Sequence, residues 1–303
     1  MMRSLRRPVF AVFALFLVLA ACRTEQAPSP VTRAAGSRPG TEQKRVTPPE
    51  LVEYCEARLA RETLRQPEVD FESMSPSQRT NAVKKFAVER LRPLTEQMIR
   101  VSPAPIKSAL DVEAVAVNRL VQTGDLKSFD RPEVRKATEQ VHAFDLENCG
   151  WAKGTVTAVE YGYGGVPKTL PPGPTSFQFE NKGKERHEMV VFRKNDGVKE
   201  SFDQLLTMPE QEAQGKVTFV AETEAMPGQS GAYTVAELTP GSYVMVCLVP
   251  VGSTPEAIRR ATEEGIPIGH NPTDVKAAQD AGKPIEWPPP HLVRGMRAEF
   301  TVK

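Results

Sequence analysis

Four side chains in the second half of the chain, His187, Cys247, His291 and Met296, offer two imidazoles, one thiol and one thioether. Two imidazoles and a thiolate in one plane, with a weak thioether on the axis, are a donor set in which copper cycles between its +1 and +2 states. The last two stand as His-x4-Met in His291-Leu292-Val293-Arg294-Gly295-Met296, and the first sits in the stretch from Asn181 to Phe192. Singly, each has a bland reading. A strand histidine is usually satisfied by hydrogen bonds, and a strand cysteine or methionine usually fills core space. The four together, in this order, are a far stronger signal.

Donors so far apart in sequence need a scaffold that returns them to one place, and the residues around them read as strands. Tyr243, Met245 and Cys247 share parity, as do His187, Met189 and Val191, so each trio faces one side of its strand. Residues 155–159, 176–180, 217–220, 233–235, 242–249 and 298–302 are β-prone or alternate in polarity, with Gly and Pro clusters between them. Six to eight short strands joined by turns read as an antiparallel sandwich over residues 151–303.

Three motifs in this half resemble the cupredoxins, the family of plastocyanin and azurin. Asn181 leads into His187-Glu188-Met189-Val190-Val191-Phe192. Gly241-Ser242-Tyr243-Val244-Met245-Val246-Cys247 matches the family's Gly-x-Tyr-x-x-x-Cys strand. His291 to Met296 runs into Arg297-Ala298-Glu299-Phe300-Thr301-Val302. The resemblance covers about residues 153–303. It implies a Greek-key antiparallel β-sandwich with one copper of type-1 character. His187, His291 and Cys247 would be the equatorial ligands and Met296 the axial one. The implied activity is one-electron transfer without bond making, hence no enzyme.

The chain departs from the family by the 43 residues, 248–290, between Cys247 and His291. Helical stretches are expected at 255–264 and 273–281, and Trp287-Pro288-Pro289-Pro290 would stiffen the return to His291. Long loops add little closure entropy, so the ligands still converge. The insertion also leaves a second reading open: a copper-free cupredoxin-fold lipoprotein that binds a partner protein through the insertion and the helices. His270, inside the insertion, reads as a solvated loop histidine.

Residues 48–150 are helical in pattern. Thr47-Pro48-Pro49-Glu50, Ser75-Pro76-Ser77-Gln78, Ser102-Pro103 and Asp130-Arg131-Pro132-Glu133 are start signals. Gly124 and Gly150 sit where helices should stop, and Pro93 should kink or split the second helix. Apolar spacing puts Leu51, Val52, Cys55 and Leu59 on one face of the first helix and Val112, Val115, Leu120 and Val121 on that of the third. Short loops favour an up-down-up-down four-helix bundle. His142, on the fourth helix, reads as a surface histidine with solvated neighbours. The fold class expected is therefore α+β in two domains.

There are four cysteines. In the bundle topology the start of the first helix lies beside the end of the fourth, so Cys55 and Cys149 would be neighbours and pair. Cys247 is left without a thiol partner, which copper ligation would explain.

Arg3, Arg6 and Arg7, an apolar run of 9–19 and then Ala20-Ala21-Cys22 read as a signal peptide over 1–21. Leu19-Ala20-Ala21-Cys22 resembles a bacterial lipobox, which implies lipidation of Cys22. Residues 22–47 then read as a tether, too polar to order itself, holding the folded part about 25–30 Å from the membrane. The expected location is extracytoplasmic and lipid-anchored, with the membrane as one partner and a redox or copper-exchange protein as another.

Of the 39 Lys and Arg residues, the three leader arginines leave with processing, so 36 face 38 Asp and Glu. So even a balance argues against nucleic acid as a partner. No Gly-x-Ser-x-Gly or His-Glu-x-x-His motif points to a hydrolase.

Overall fold

The computed structural model describes residues 47–65, 74–213, 215–264, 280–282 and 288–303. The leader, Cys22, the tether up to residue 46, His270 and nearly all of the 273–281 stretch lie outside the described residues. No helix among the described residues is long and apolar enough to cross a membrane. The chain divides into two compact units, the first ending at Trp151 and the second running from Ala152 to Lys303.

The first unit is helical: α1 (Val52–Glu62), α2 (Pro76–Phe86), α3 (Arg92–Arg100), α4 (Lys107–Thr123) and α5 (Pro132–Asn148). α4 packs on α2, α3 and α5, and α1 on α3. A π-turn, Ala87–Leu91, joins α2 to α3 just before Pro93, so the proline divides this rod where the sequence places the break. Ser75 opens α2 with a full capping box, its hydroxyl accepting from the Gln78 N–H while the Gln78 side chain accepts from the Ser75 N–H. Thr47 does not cap. Its hydroxyl donates to Cys149 O at 2.9 Å, tying the two ends of the unit together beside the Cys55–Cys149 disulfide.

The buried face of α1 differs from the apolar reading. Tyr54, Cys55, Ala57 and Arg58 are buried, whereas Val52 is exposed. On α4, Val115 is exposed and Glu113 is buried. The cause is an interior charge network, invisible to a count of apolar residues. Arg58 Nε lies 2.7 Å from Asp145 Oδ2, the Tyr54 hydroxyl donates to Asp145 Oδ1 at 2.7 Å, and Arg61 Nη1 lies 3.3 Å from Glu113 Oε2. His142, expected at the surface, is buried near Arg58.

Among its described residues the second unit holds nine strands: β1 (Ala152–Val159), β2 (Gly162–Gly164), β3 (Thr169–Leu170), β4 (Gly173–Asn181), β5 (His187–Lys194), β6 (Val217–Ala225), β7 (Ala232–Leu238), β8 (Gly241–Val246) and β9 (Arg297–Val302). Between them lie α6 (Phe202–Thr207), α7 (Glu210–Ala213) and α8 (Pro255–Glu263). One sheet has the order β2-β1-β4-β7, the other β3-β9-β8-β5-β6.

Both sheets are mixed, not antiparallel as expected. β1 runs parallel to β4, and β3 to β9. Between β1 and β4 the chain turns back along β2, crosses to the other sheet to edge it as β3, and returns beside β1 in the direction β1 took. Val156, Phe177 and Phe179 from the first sheet and Met189, Met245 and Phe300 from the second share one apolar core. Phe177 and Phe300 meet across it with ring centroids 6.1 Å apart. α6 covers the far side of the second sheet with Phe202 and Leu205, packed on Val190, Val244 and Val246. The middle of β5 and the end of β8 are thus buried on both faces, which is why Met189–Phe192 and Tyr243–Val246 are unbroken apolar runs rather than alternating.

Candidate metal centre

His187 opens β5, Cys247 directly follows β8, and His291 begins a single 3-10 turn, His291–Arg294, ahead of β9. β5 and β8 are neighbours in the sheet, and so are β8 and β9. Three adjacent strand ends therefore deliver the three side chains to one rim of the sandwich.

The approach to His187 is pinned from inside. The buried Asn181 amide donates to Glu185 O at 2.8 Å and Ala225 O at 2.9 Å, while its oxygen accepts from the Gly183 N–H at 2.8 Å. Glu160, just past β1, accepts from the Lys184 and Glu185 N–H groups on the other side of this loop. An added Cβ at Gly183 would come within 2.5 Å of Glu160 Oε1 and 2.7 Å of His187 Nε2. Any side chain there would have to displace the Glu160 carboxylate and the His187 ring.

Main-chain bonds tie the other donors to each other. Cys247 N–H donates to Met296 O at 3.2 Å, and Leu292 N–H donates to Cys247 O at 2.9 Å. The His291 N–H bonds Val249 O at 2.9 Å and Val251 N–H bonds Pro289 O at 3.0 Å. The outgoing and returning ends of the 43-residue excursion thus pair as a short antiparallel stem, with Pro250 bridged to Pro290. Gly295, at φ 100°, lets the turn reverse into Met296.

His187 Nδ1 and His291 Nδ1 are 3.0 Å apart, and Cys247 Sγ is 3.4 Å from His291 Nδ1. Among the described residues these three form the one group of metal-ligating side chains, with ligand atoms mutually within 4.8 Å and every member buried. Met296 is fully buried in the same core cluster as Cys247. The Glu188 N–H points at the sulfur from 3.4 Å. The Tyr163 hydroxyl donates to Glu188 O, and the Leu248 N–H donates to Glu188 Oε1 at 2.8 Å.

The far side of each imidazole meets a carboxylate. His291 Nε2 is 3.0 Å from Glu185 Oε2, and His187 Nε2 is 3.6 Å from Glu160 Oε1, beyond hydrogen-bond range. The Tyr161 ring stands edge-on to His291 with centroids 5.0 Å apart.

Burial governs the electrostatics. Desolvation, helped by the neighbouring His291, holds the His187 pKa down at about 4, and desolvation lowers that of His291 as well. Desolvation, with the Glu188 charge adding to it, pushes the Cys247 thiol up to about 12. Both rings are therefore neutral at pH 7, with lone pairs ready for a ligand.

These residues fit a soft cation. With the His291 ring proton on Nε2, the side that faces Glu185, its Nδ1 would present a lone pair toward His187 Nδ1, 3.0 Å away. A neutral His187 with its proton on Nδ1 donates across this gap, and a cation bound between the rings would take the place of that proton and meet a lone pair from each nitrogen. A bound cation would also invert the thiol's preference, since coordination deprotonates it outright.

Sequence reasoning missed Glu160, Glu185, Tyr161 and Glu188. Each lies within three residues of a strand end, but nothing in its type says whether it turns inward.

No protein-family profile and no curated protein matches the chain. Solved structures do. Dithionite-reduced auracyanin from the photosynthetic bacterium Roseiflexus castenholzii is 18% identical, over 50% of this chain and 97% of its own, with a TM-score of 0.28. Auracyanin B is 17% identical over 50% of this chain and 88% of its own, with a TM-score of 0.25. Auracyanin A, described as a "blue" copper protein from the green thermophilic photosynthetic bacterium Chloroflexus aurantiacus, is 18% identical over 34% of this chain and 93% of its own, with a TM-score of 0.20.

Proposed function

We propose that the second unit is a cupredoxin-like carrier that binds one copper ion through His187, Cys247, His291 and Met296. The observation that carries this reading is the convergence of His187 Nδ1, His291 Nδ1 and Cys247 Sγ, at 3.0 and 3.4 Å, from three segments far apart in sequence. Bound there, copper would supply one-electron exchange between its two oxidation states. The residues do the rest. His187, Cys247 and His291 are all sealed from water, and the stem of main-chain bonds holds them where they are. A site that moves little on a change of charge suits electron transfer. A thioether suits copper better than zinc, which favours thiolate, imidazole and carboxylate. With four protein ligands no position is left open for a substrate, so we read a carrier and not an enzyme.

On this reading the protein works outside the cytoplasm, anchored by lipid on Cys22, and exchanges electrons or copper with a protein partner. The helical unit, which we read as a four-rod bundle, is stapled by Cys55–Cys149, in keeping with an oxidising compartment.

The test is a Cu(II) titration of the chain carrying Cys22→Ser. An intense visible band from thiolate-to-copper charge transfer is expected, and it is lost in the further variant Cys247→Ser. A colourless protein with no bound copper would overturn the reading in favour of the copper-free, partner-binding lipoprotein. Lipid labelling of the full chain in cells, present with Cys22 and absent with Cys22→Ser, tests the anchor separately.

A further inference from the structure

We propose that Glu185 is the outer carboxylate of this site: it fixes the tautomer of His291 and favours the oxidised state of the metal. The inference rests on the copper reading above. Four donors converge on this one side chain. Oε2 accepts from His291 Nε2 at 3.0 Å, from the Gly252 N–H at 2.5 Å and from the Ser253 N–H at 3.0 Å, and Oε1 accepts from the Tyr161 hydroxyl at 3.1 Å. An ionised carboxylate only accepts, and four donors are what it takes to satisfy one that is 9% exposed.

Two consequences follow. Because Glu185 accepts only, the ring proton of His291 sits on Nε2, and the lone pair sits on Nδ1, facing Cys247 and His187. A carboxylate behind a ligating imidazole orients the ring and raises its basicity, and loss of such a partner costs about 10–100-fold in metal affinity. The buried negative charge also attracts a dication more than a monocation, so it holds the reduction potential down. Through Gly252 and Ser253 the same oxygen grips the turn that leads into the excursion, so one residue couples His291 to the base of that segment.

Glu160 supplies an internal comparison. It lies 3.6 Å from His187 Nε2, too far for a hydrogen bond, and its side chain is 31% exposed. Its charge is better screened, and its influence on the metal is correspondingly weaker.

The test has two readouts on the chain carrying Cys22→Ser. The first needs no metal: nitrogen NMR of the His291 ring in the copper-free protein is expected to show the Nε2–H tautomer. A proton on Nδ1 would overturn the proposal. The second compares copper-loaded wild type with Glu185→Gln and Glu160→Gln by redox titration. Glu185→Gln is expected to shift the Cu(II)/Cu(I) preference toward Cu(I) about tenfold, equivalent to about 59 mV for one electron, and Glu160→Gln by less. An unchanged potential in a Glu185→Gln variant that still binds copper sinks the electrostatic role. A wild type with the Nε2–H tautomer that takes up no copper supports the positioning of His291 by Glu185, and it is the copper reading that then falls.

Discussion

Cys247 Sγ lies 3.4 Å from His291 Nδ1 although 43 residues separate the two along the chain. The bond pattern explains how. Leu292 N–H reaches Cys247 O, His291 N–H reaches Val249 O and Val251 N–H reaches Pro289 O. The excursion therefore leaves and re-enters through a paired stem. Closure entropy grows only as the logarithm of loop length, and a few buried bonds at the base suffice to offset it. None of the described residues of the insertion, 248–264, 280–282 and 288–290, belongs to the group of ligating side chains.

If the three donors hold a cation, the folded sheet unit gains stability from it. Ligand at 100 times its dissociation constant contributes about 2.7 kcal/mol. Cu(II) is expected to raise the thermal midpoint of the second unit's unfolding. The rise should vanish in Cys247→Ser, a variant that keeps the side-chain volume nearly constant. Calorimetry with and without Cu(II) measures this, and an equal rise in both proteins would mean that copper binds elsewhere.

Gly183 predicts a purely steric lesion. Its φ is not among the positive ones, so alanine brings no backbone strain. The added Cβ instead collides with Glu160 Oε1 and with His187 Nε2. Displacing an imidazole and its carboxylate partner should weaken copper binding about 10–100-fold. Competition titration with a chelator reads the affinity, and circular dichroism should show an unchanged fold. Wild-type affinity in Gly183→Ala would mean the loop gives way at no cost to His187.

The grouping of His187, Cys247 and His291 was legible in the sequence because these residue types are rare and strand alternation places them. The strands around them were legible from the same alternation, although the burial of β5 and β8 on both faces was not read from it. The parallel pairings were not, because strand direction is settled by where residues 160–172 cross, and nothing local encodes that. Nor was the role of Glu185, one of 38 acidic residues. It turns inward because Asn181 and Glu160 shape the loop that carries it. In the helical unit the apolar period identified the rods but misjudged faces such as those of Val52 and Val115. There the interior is held partly by Arg58, Glu113 and Asp145, which a hydrophobicity pattern assigns to solvent.

The Cys55–Cys149 bridge spans 94 residues and joins the start of α1 to the end of α5. In the chain-entropy account a loop of this length stabilises by about 4–5 kcal/mol, and removal of native disulfides in practice costs about 2–5 kcal/mol. The double variant Cys55→Ser/Cys149→Ser should unfold its helical unit at markedly lower denaturant. Urea titration followed by helical circular dichroism is the measurement. A midpoint equal to that of the wild type would place the stability of this unit in its packing alone.

His142 makes the helical unit sensitive to acid. Burial, with the Arg58 charge beside it, holds its pKa at about 3, below the ordinary histidine value of 6.5. The unfolded chain takes up a proton as pH falls through 6.5, while the folded unit does so only near 3. Protons then favour the unfolded state across that window, so stability is full above it and is lost progressively on acidification. Other buried groups are shifted as well, Asp145 upward by burial and Glu113, against its burial, downward by Arg61 and Arg58, so the informative quantity is a difference between two proteins. His142→Gln keeps the polarity and much of the volume but cannot gain the charge. Between pH about 7 and about 4.5 the wild type should lose more unfolding free energy than His142→Gln does. Parallel losses in the two would mean that His142 gains its proton as easily in the folded unit as in the open chain, and that its burial imposes no electrostatic cost.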